Sequence, residues 1–322
     1  MATAEQLKTL IKSHFQSDSE RFSTVALQLA AHEARLGHGS LAEDIRRIVD
    51  ESKASKRATV IPFAPEWQGL IAINDSQLRL VDLVAPEGLL RRVRRILLEY
   101  KQQAKLEKHG LSNRRKFLLC GPPGTGKTMT ARVLAGELHL PLFTILLDKL
   151  VTKFMGETAA KLRQVFSIIQ GRRGVYLFDE FDAIGAERAL DNDVGEMRRV
   201  LNAFLQFLEQ DTSDSLIIAA TNNVRILDQA LFRRFDDVVH FILPDAGEVA
   251  RLVSSRLGSF MDKDKDYGRA VSAAEKLSHA EICDACADAI KECILTDRNT
   301  VDVDVLVSMM QERHSAYGKS RS

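Results

Sequence analysis

The residues Gly121-Pro122-Pro123-Gly124-Thr125-Gly126-Lys127-Thr128 form the strongest chemical signal in the chain. They follow an apolar run, KFLLC, and lead into TMTARVLAGEL, so the stretch reads as strand, tight turn and helix start. The glycines let backbone N–H groups point inward around phosphate oxygens, and the helix N-terminus adds positive potential. In a loop of this kind Lys127 reaches the β- and γ-phosphates of a nucleotide and the Thr128 hydroxyl binds Mg²⁺. Gly121 through Met129 are the expected nucleotide contacts. A second signal is Val175-Tyr176-Leu177-Phe178-Asp179-Glu180, four apolar residues that deliver two carboxylates at a strand end. Ligands of open α/β sheets sit at that end. Asp179 would hold Mg²⁺, directly or through water, and Glu180 would polarise an attacking water.

Positioning such groups needs strands that end together, and the pattern from residue 116 onward supplies them. KFLLC, PLFTILL, GVYLFD, SLIIAA and DVVHFIL are short apolar strands, separated by helical stretches such as AAKLRQVFSIIQ and GEMRRVLNAFLQFLEQ. Apolar strands alternating with helices indicate a parallel α/β sheet covered on both faces. Beyond Pro244 residues 246–318 read as helices only. Upstream, 85–108 is a basic helix with Leu89, Val93, Ile96, Leu97 and Tyr100 on its apolar face. Between Glu87 and Lys116 ten Lys/Arg face three Asp/Glu, a local excess of seven positive charges. Residues 61–84 hold Pro62, Pro65, the single tryptophan Trp67 and the alternating run LIAINDSQLRLVDLV, and read as an extended linker. Residues 1–60 read as three short amphipathic helices, with plausible capping boxes at Ser17-x-x-Glu20 and Ser40-x-x-Glu43. Such a bundle has a small core and is marginal alone.

With Asp179 lying 52 residues after Lys127, the chain resembles the AAA family of ATPases, within the AAA+ class, over about 85–315. Further motifs carry the resemblance. Ile217-Ile218-Ala219-Ala220-Thr221-Asn222 is similar to the sensor 1 strand, which implies that Asn222 contacts the γ-phosphate and the lytic water. Leu227-Asp228-Gln229-Ala230-Leu231-Phe232-Arg233-Arg234-Phe235-Asp236 resembles the second region of homology, whose arginine pair projects into a neighbouring subunit's site. Guanidinium groups aimed at a transferring phosphoryl are worth about 10³–10⁵ in rate. The Pro-Gly spacer of many members is missing after Arg234, a form similar to the branch containing katanin, spastin and the ESCRT-disassembling ATPases. Lys153-Phe154-Met155-Gly156-Glu157 resembles the central pore loop, so Phe154 and Met155 are implied to grip an extended polypeptide. A second pore loop would fall in Ala189–Glu196. Leu277-Ser278-His279-Ala280-Glu281-Ile282 resembles the lid helix start near the adenine and γ-phosphate, with His279 where a small residue is usual.

The fold implied is a three-layer αβα P-loop domain over 85–245, a helical lid over 246–322, an adaptor bundle over 1–60 and a linker over 61–84. The function implied is an ATP- and Mg²⁺-dependent ATPase that forms a homo-hexamer and remodels, unfolds or disassembles protein substrates. The bundle would bind a substrate or partner protein, and a separate protease is a further partner of such ATPases. Two other readings remain. One is a nucleic-acid-associated loader or transposition regulator that binds through Arg91, Arg92, Arg94 and Arg95. The other is a nucleotide-controlled switch or scaffold. Lys+Arg 45 against Asp+Glu 44 argues against binding to nucleic acid through global positive charge. At 45% apolar residues the chain is too hydrophobic for a disordered one. Four cysteines make no disulfide framework, and Cys283-x-x-Cys286 with Cys293 lacks the ligands to close a zinc site. There is no HExxH metal motif and no serine nucleophile motif. MATAEQLKTLIKSHF lacks the basic and apolar regions of a signal peptide, and no apolar run approaches the ~20 residues of a membrane span. The expectation is a cytoplasmic protein.

Overall fold

The computed structural model of the chain describes residues 19–35, 38–39, 41–47, 69–150, 155–182, 194–223, 232–262 and 264–318. Two compact units divide the chain, Met1–Glu66 and Trp67–Ser322. In the first, α1 (Ser19–Arg35) buries Val25, Ala26 and Ala30, and a helical stretch at 41–47 buries Ala42. These match the second and third expected helices. The first expected helix, and the capping residues Ser17 and Ser40, lie outside the described residues.

The second unit is built on six strands: β1 (Ile71–Asn74), β2 (Lys116–Cys120), β3 (Leu142–Ile145), β4 (Val175–Phe178), β5 (Leu216–Thr221) and β6 (Asp237–His240). Their order is β1-β3-β4-β5-β2-β6, and every pairing is parallel except the antiparallel edge pair of β1 and β3. All residues of β4 and β5 are buried, as strands covered on both faces must be. On one face Phe117, Leu119, Leu177, Ile218 and Val239 pack with Val93, Ile96 and Tyr100 of α2 (Glu87–Lys101) and Ala131, Leu134 and Ala135 of α3 (Lys127–Leu138). On the other, Phe178 meets Phe166 of α4 (Met155–Gly171) and Phe204 of α5 (Val194–Gln210), with ring centroids 6.1 and 5.0 Å away. The result is the three-layer αβα domain.

The expected linker is corrected here. Within 61–84, residues from 69 onward belong to the α/β unit. Ile71 pairs with Ile145 and Asn74 with Leu142, so the alternating run closes the β3 edge of the sheet. Leu70, Ile71 and Leu83 are buried by that placement, which gives the run an apolar reason to stay.

The segment expected as a lid holds α6 (Ala246–Leu257), α7 (Gly268–Ala273), α8 (His279–Leu295) and α9 (Val303–Gly318), within the same compact unit as the sheet. It has its own core, with Val249, Leu252 and Val253 of α6 against Ile282, Ala285, Cys286 and Ala289 of α8 and Leu306 and Met310 of α9. Helices α6 and α8 each start at a capping box, Asp245 with Glu248 and Ser278 with Glu281.

Candidate nucleotide site

Strand register decides where the chemistry gathers. Cys120 is level with Thr221, and Phe178 with Ala219, so the residues that follow β2, β4 and β5 emerge along one edge of the sheet. The glycine-rich loop, Asp179–Glu180 and Asn222 therefore converge there. A cavity of about 590 Å³ opens between them, lined by Pro123, Gly124, Gly126, Lys127, Thr128, Met129, Asp179, Glu180 and Asn222. The lid contributes His279 and Ala280 to the same wall.

The loop needs its glycines for two reasons. Gly124 has φ +73° and Gly126 φ +99°, which side chains resist. A Cβ at Gly121 would lie 2.4 Å from the Phe241 carbonyl oxygen, and one at Gly124 would lie 2.5 Å from Ser278 Oγ. Thr125 is buried and its hydroxyl donates to the Pro122 carbonyl at 2.7 Å, bracing the turn from inside. Gly121 and Pro122 line no part of the cavity. Their carbonyls instead accept from Lys127.

The Lys127 ammonium is buried and donates to Gly121 O, Pro122 O and Asn222 Oδ1, each at 2.8 Å. Three donors meet three acceptors. Burial pulls its pKa below the ordinary lysine value, opposed by the charges of Asp179 and Asp182. Thr128 Oγ1 donates to Asp179 Oδ2 at 2.6 Å, so the hydroxyl and carboxylate expected to share a cation are already adjacent. The residues fit a nucleotide with Mg²⁺: a cradle that a side chain would fill, a buried ammonium for phosphate, and oxygen donors suited to a hard cation.

Glu180 is exposed and held at φ +51°, a left-handed conformation that costs a non-glycine residue about 1–3 kcal/mol. The turn around it is pinned. Glu180 N–H donates to Asp179 Oδ1 at 3.0 Å, Phe181 is buried with its N–H on Ala220 O, and Asp182 Oδ1 accepts from Asn222 N–H at 3.2 Å. Asp182 is a site residue not anticipated above, although it was visible as a third acid three residues after Asp179. Leu78, Asp82, Leu83 and Val84 of the strap 78–84 and the α6 residues Leu252, Ser255 and Arg256 also line the cavity unanticipated. The strap is tied down where Arg79 Nη1 donates to Gly136 O and Leu80 N–H to Glu137 Oε1, both at 3.0 Å.

The arginine pair lies elsewhere. Arg233 and Arg234 are exposed just before β6. Phe235 is buried, and Asp236 Oδ2 accepts from the N–H groups of Arg115 and Lys116 at 2.7 and 2.9 Å. Asp237 is level with Phe117 at the start of β2, whereas the glycine loop leaves β2 at its other end. Four residues of strand separate the two, about 13 Å. Arg234 is ion-paired with Glu209 of α5, while Arg233 has no ion-pair partner among the described residues. Leu227–Leu231 and Phe154 lie outside the described residues. Met155 opens α4, and the end of the second expected pore loop, Val194–Glu196, is the first turn of α5.

A sequence profile described as "ATPase family associated with various cellular activities (AAA)" matches residues 117–243. An uncharacterized AAA family ATPase of Sinorhizobium fredii is 33% identical over 328 residues, covering 100% of this chain and 98% of that protein. A proteasome-activating nucleotidase of Methanosphaerula palustris is 32% identical over 64% of this chain and 52% of its own length. An ATP-dependent zinc metalloprotease FtsH 2 of Sorangium cellulosum is 41% identical over 46% of this chain and 26% of its own length. The match thus spans about half of the nucleotidase and a quarter of the metalloprotease. The solved FIGL-1 AAA domain superposes with a TM-score of 0.61 at 24% identity, covering 81% of this chain and 96% of that one, a likeness of fold.

Proposed function

The chain belongs to the AAA family and is an ATPase, and from that premise we propose that it is a ring-forming motor that remodels proteins. Pro123, Gly124, Gly126, Thr128 and Met129 hold the nucleotide with Lys127 on its phosphates, while Gly121, Pro122 and Thr125 shape the loop behind them. Thr128 and Asp179 hold Mg²⁺, which when bound offsets phosphate charge. Glu180 takes the proton of the attacking water, and Asn222 orients that water beside the γ-phosphate. The observation that carries the proposal is the separation of the arginines from this constellation. Arg233 stands at the far end of the sheet from its own chain's loop, so it serves the site of a neighbouring copy. That geometry favours a closed homo-oligomer with head-to-tail interfaces, a hexamer in this reading.

Two of the relatives carry a proteasome or a protease in their names, which supports a polypeptide as the substrate and a separate protease as a companion. Phe154 and Met155 grip that polypeptide in the ring's centre, and the N-terminal unit recruits it. No helix among the described residues is long and apolar enough to cross a membrane. The basic helix α2 gives less to nucleic acid than its charge suggests. Arg92 Nη1 donates to the Val238 carbonyl at 2.9 Å, and Arg94 pairs with Glu87 at 2.6 Å.

The test is a trap. A Glu180→Gln chain with ATP should retain a polypeptide that co-purifies and is released when ATP is removed. Phe154→Ala should lose remodelling of that polypeptide while keeping most ATP turnover. Full remodelling by the Phe154 variant would sink the threading reading.

A further inference from the structure

Arg233 and Arg234 form an exposed turn, and the chain behind them is fastened by Asp236. The Asp236 N–H donates to the Lys116 carbonyl at 2.8 Å, and its Oδ2 accepts from the N–H groups of both Arg115 and Lys116, at 2.7 and 2.9 Å. Hydrogen bonds to a carboxylate are about twice as strong as neutral ones, so the clamp onto the start of β2 is firm. Upstream the turn has less to hold it. The Arg234–Glu209 ion pair has both partners exposed, and surface pairs of that kind restrain little.

The strand that follows does not need this carboxylate. β6 pairs with β2 over four residues, from Asp237 level with Phe117 to His240 level with Cys120. Asp237 also faces Arg114 Nη1 at 3.3 Å and Arg92 Nη1 at 3.4 Å, and Arg92 donates to the Val238 carbonyl at 2.9 Å. Strand β6 thus has anchors of its own. What the Asp236 side chain fixes lies before the strand, in the turn three residues away that presents Arg233.

We propose that Asp236 is a positioning residue for Arg233: its carboxylate fixes the turn from which that arginine reaches the site of a neighbouring copy. The inference rests on the reading that Arg233 acts between copies. A group displaced by about 1 Å from the reacting atoms can lose about 10²-fold in rate. Both clamp bonds to the side chain end on one oxygen, so an amide oxygen can take its place.

The test mixes full-length chains in pairs and measures ATP turnover. A Glu180→Gln subunit lends Arg233 but lacks its base, and an Arg233→Ala subunit keeps its base but lends no arginine. Activity gained on mixing reports an arginine crossing between copies. Asp236→Ala in the lending subunit, as Glu180→Gln/Asp236→Ala, should cut that gain about 10-fold or more. In the receiving subunit, as Arg233→Ala/Asp236→Ala, it should leave the gain unchanged. Glu180→Gln/Asp236→Asn should restore most of the gain. An equal loss in both placements overturns the inference, because a general defect of folding or assembly does not distinguish lender from receiver. An undiminished gain with the Glu180→Gln/Asp236→Ala lender also overturns it, as does an Asp236→Asn lender no better than the Asp236→Ala one, which would assign the effect to charge. If Glu180→Gln and Arg233→Ala gain nothing on mixing, the reading of Arg233 itself fails and takes the inference with it.

Discussion

Lys127 enters nucleotide binding with every N–H donor already engaged, so phosphate must displace one of its three acceptors. Two are backbone carbonyls of the loop itself, which cannot withdraw without unmaking the turn. Asn222 Oδ1 is the one on a side chain, and it is also the residue proposed to orient the attacking water. Asn222→Ala should therefore separate two effects. ATP hydrolysis should fall about 10²-fold from loss of a polar group at the reacting phosphate. ADP affinity should hold or improve, because a competitor for the ammonium is gone. A parallel collapse of ADP binding, measured by calorimetry, would show that Asn222 instead holds the site together. His279 predicts a pH effect of determined sign. Its folded-state pKa is lowered by burial, so the native chain resists a proton that the unfolded chain accepts. The stability it contributes is present above the ordinary imidazole pKa of about 6.5 and is lost as pH falls from there through the lower folded-state pKa. Lys127, Arg256, Asp179, Glu180 and Asp284 share its cavity, so the comparison must be differential. Between pH 7.5 and 5.5 the wild type should lose more unfolding free energy in urea than His279→Ala does.

Gly136 shows how an element can matter without carrying chemistry. A Cβ there would lie 2.1 Å from the Leu78 carbonyl oxygen, because the strap runs directly across the end of α3. Gly136→Ala, although favourable to an isolated helix, should destabilise the protein by about 1–3 kcal/mol through overpacking. It should also weaken ADP binding, since Leu78, Leu83 and Val84 form part of the cavity. An unchanged melting temperature in that variant would mean the strap is not seated as described. The same strap marks the limit of what the sequence could tell. The loop, the Asp179–Glu180 pair and Asn222 were legible because each sits where a strand stops, and strand ends are written in local apolar runs. The lid helix start was legible only through the resemblance carried by residues 277–282, although its cap, Ser278 with Glu281, is a local signal that went unread. The strap was not legible, because Arg79 meets Gly136 across 57 positions and nothing in the run LIAINDSQLRLVDLV points at α3. The edge pairing of β1 was hidden for the same reason. An alternating run announces a half-buried strand, yet its partner β3 is known only once the whole sheet is assembled.

At the scale of the whole molecule, the near-cancelling charge conceals a division of labour. The phosphate-side loop and its carboxylates occupy one end of the sheet, and Arg233 precedes β6 at the other, where Asp237 stands about 13 Å of β2 away from the loop. Arg234 is held by Glu209 and Arg233 is not, so Arg233 is the stronger candidate to act on a neighbour. A dilute subunit should accordingly turn over ATP slowly, with specific activity rising as the chain assembles. Concentration dependence alone does not prove that an arginine crosses the interface, since assembly could order the site in other ways. Mixing two defective chains does. A Glu180→Gln subunit keeps Arg233 but lacks its own base, and an Arg233→Ala subunit keeps its base but lends no arginine. Each alone should be nearly inactive. In an equimolar random ring with head-to-tail contacts, an Arg233→Ala site is rescued wherever its arginine-donating neighbour is the Glu180→Gln subunit, which makes about a quarter of all sites competent. Arg234→Ala in place of Arg233→Ala should give a milder defect and a smaller gain on mixing, because its guanidinium first has to leave Glu209. If mixed chains are no more active than the average of the two alone, the arginine works within its own subunit or not at all, and the ring loses its chemical reason.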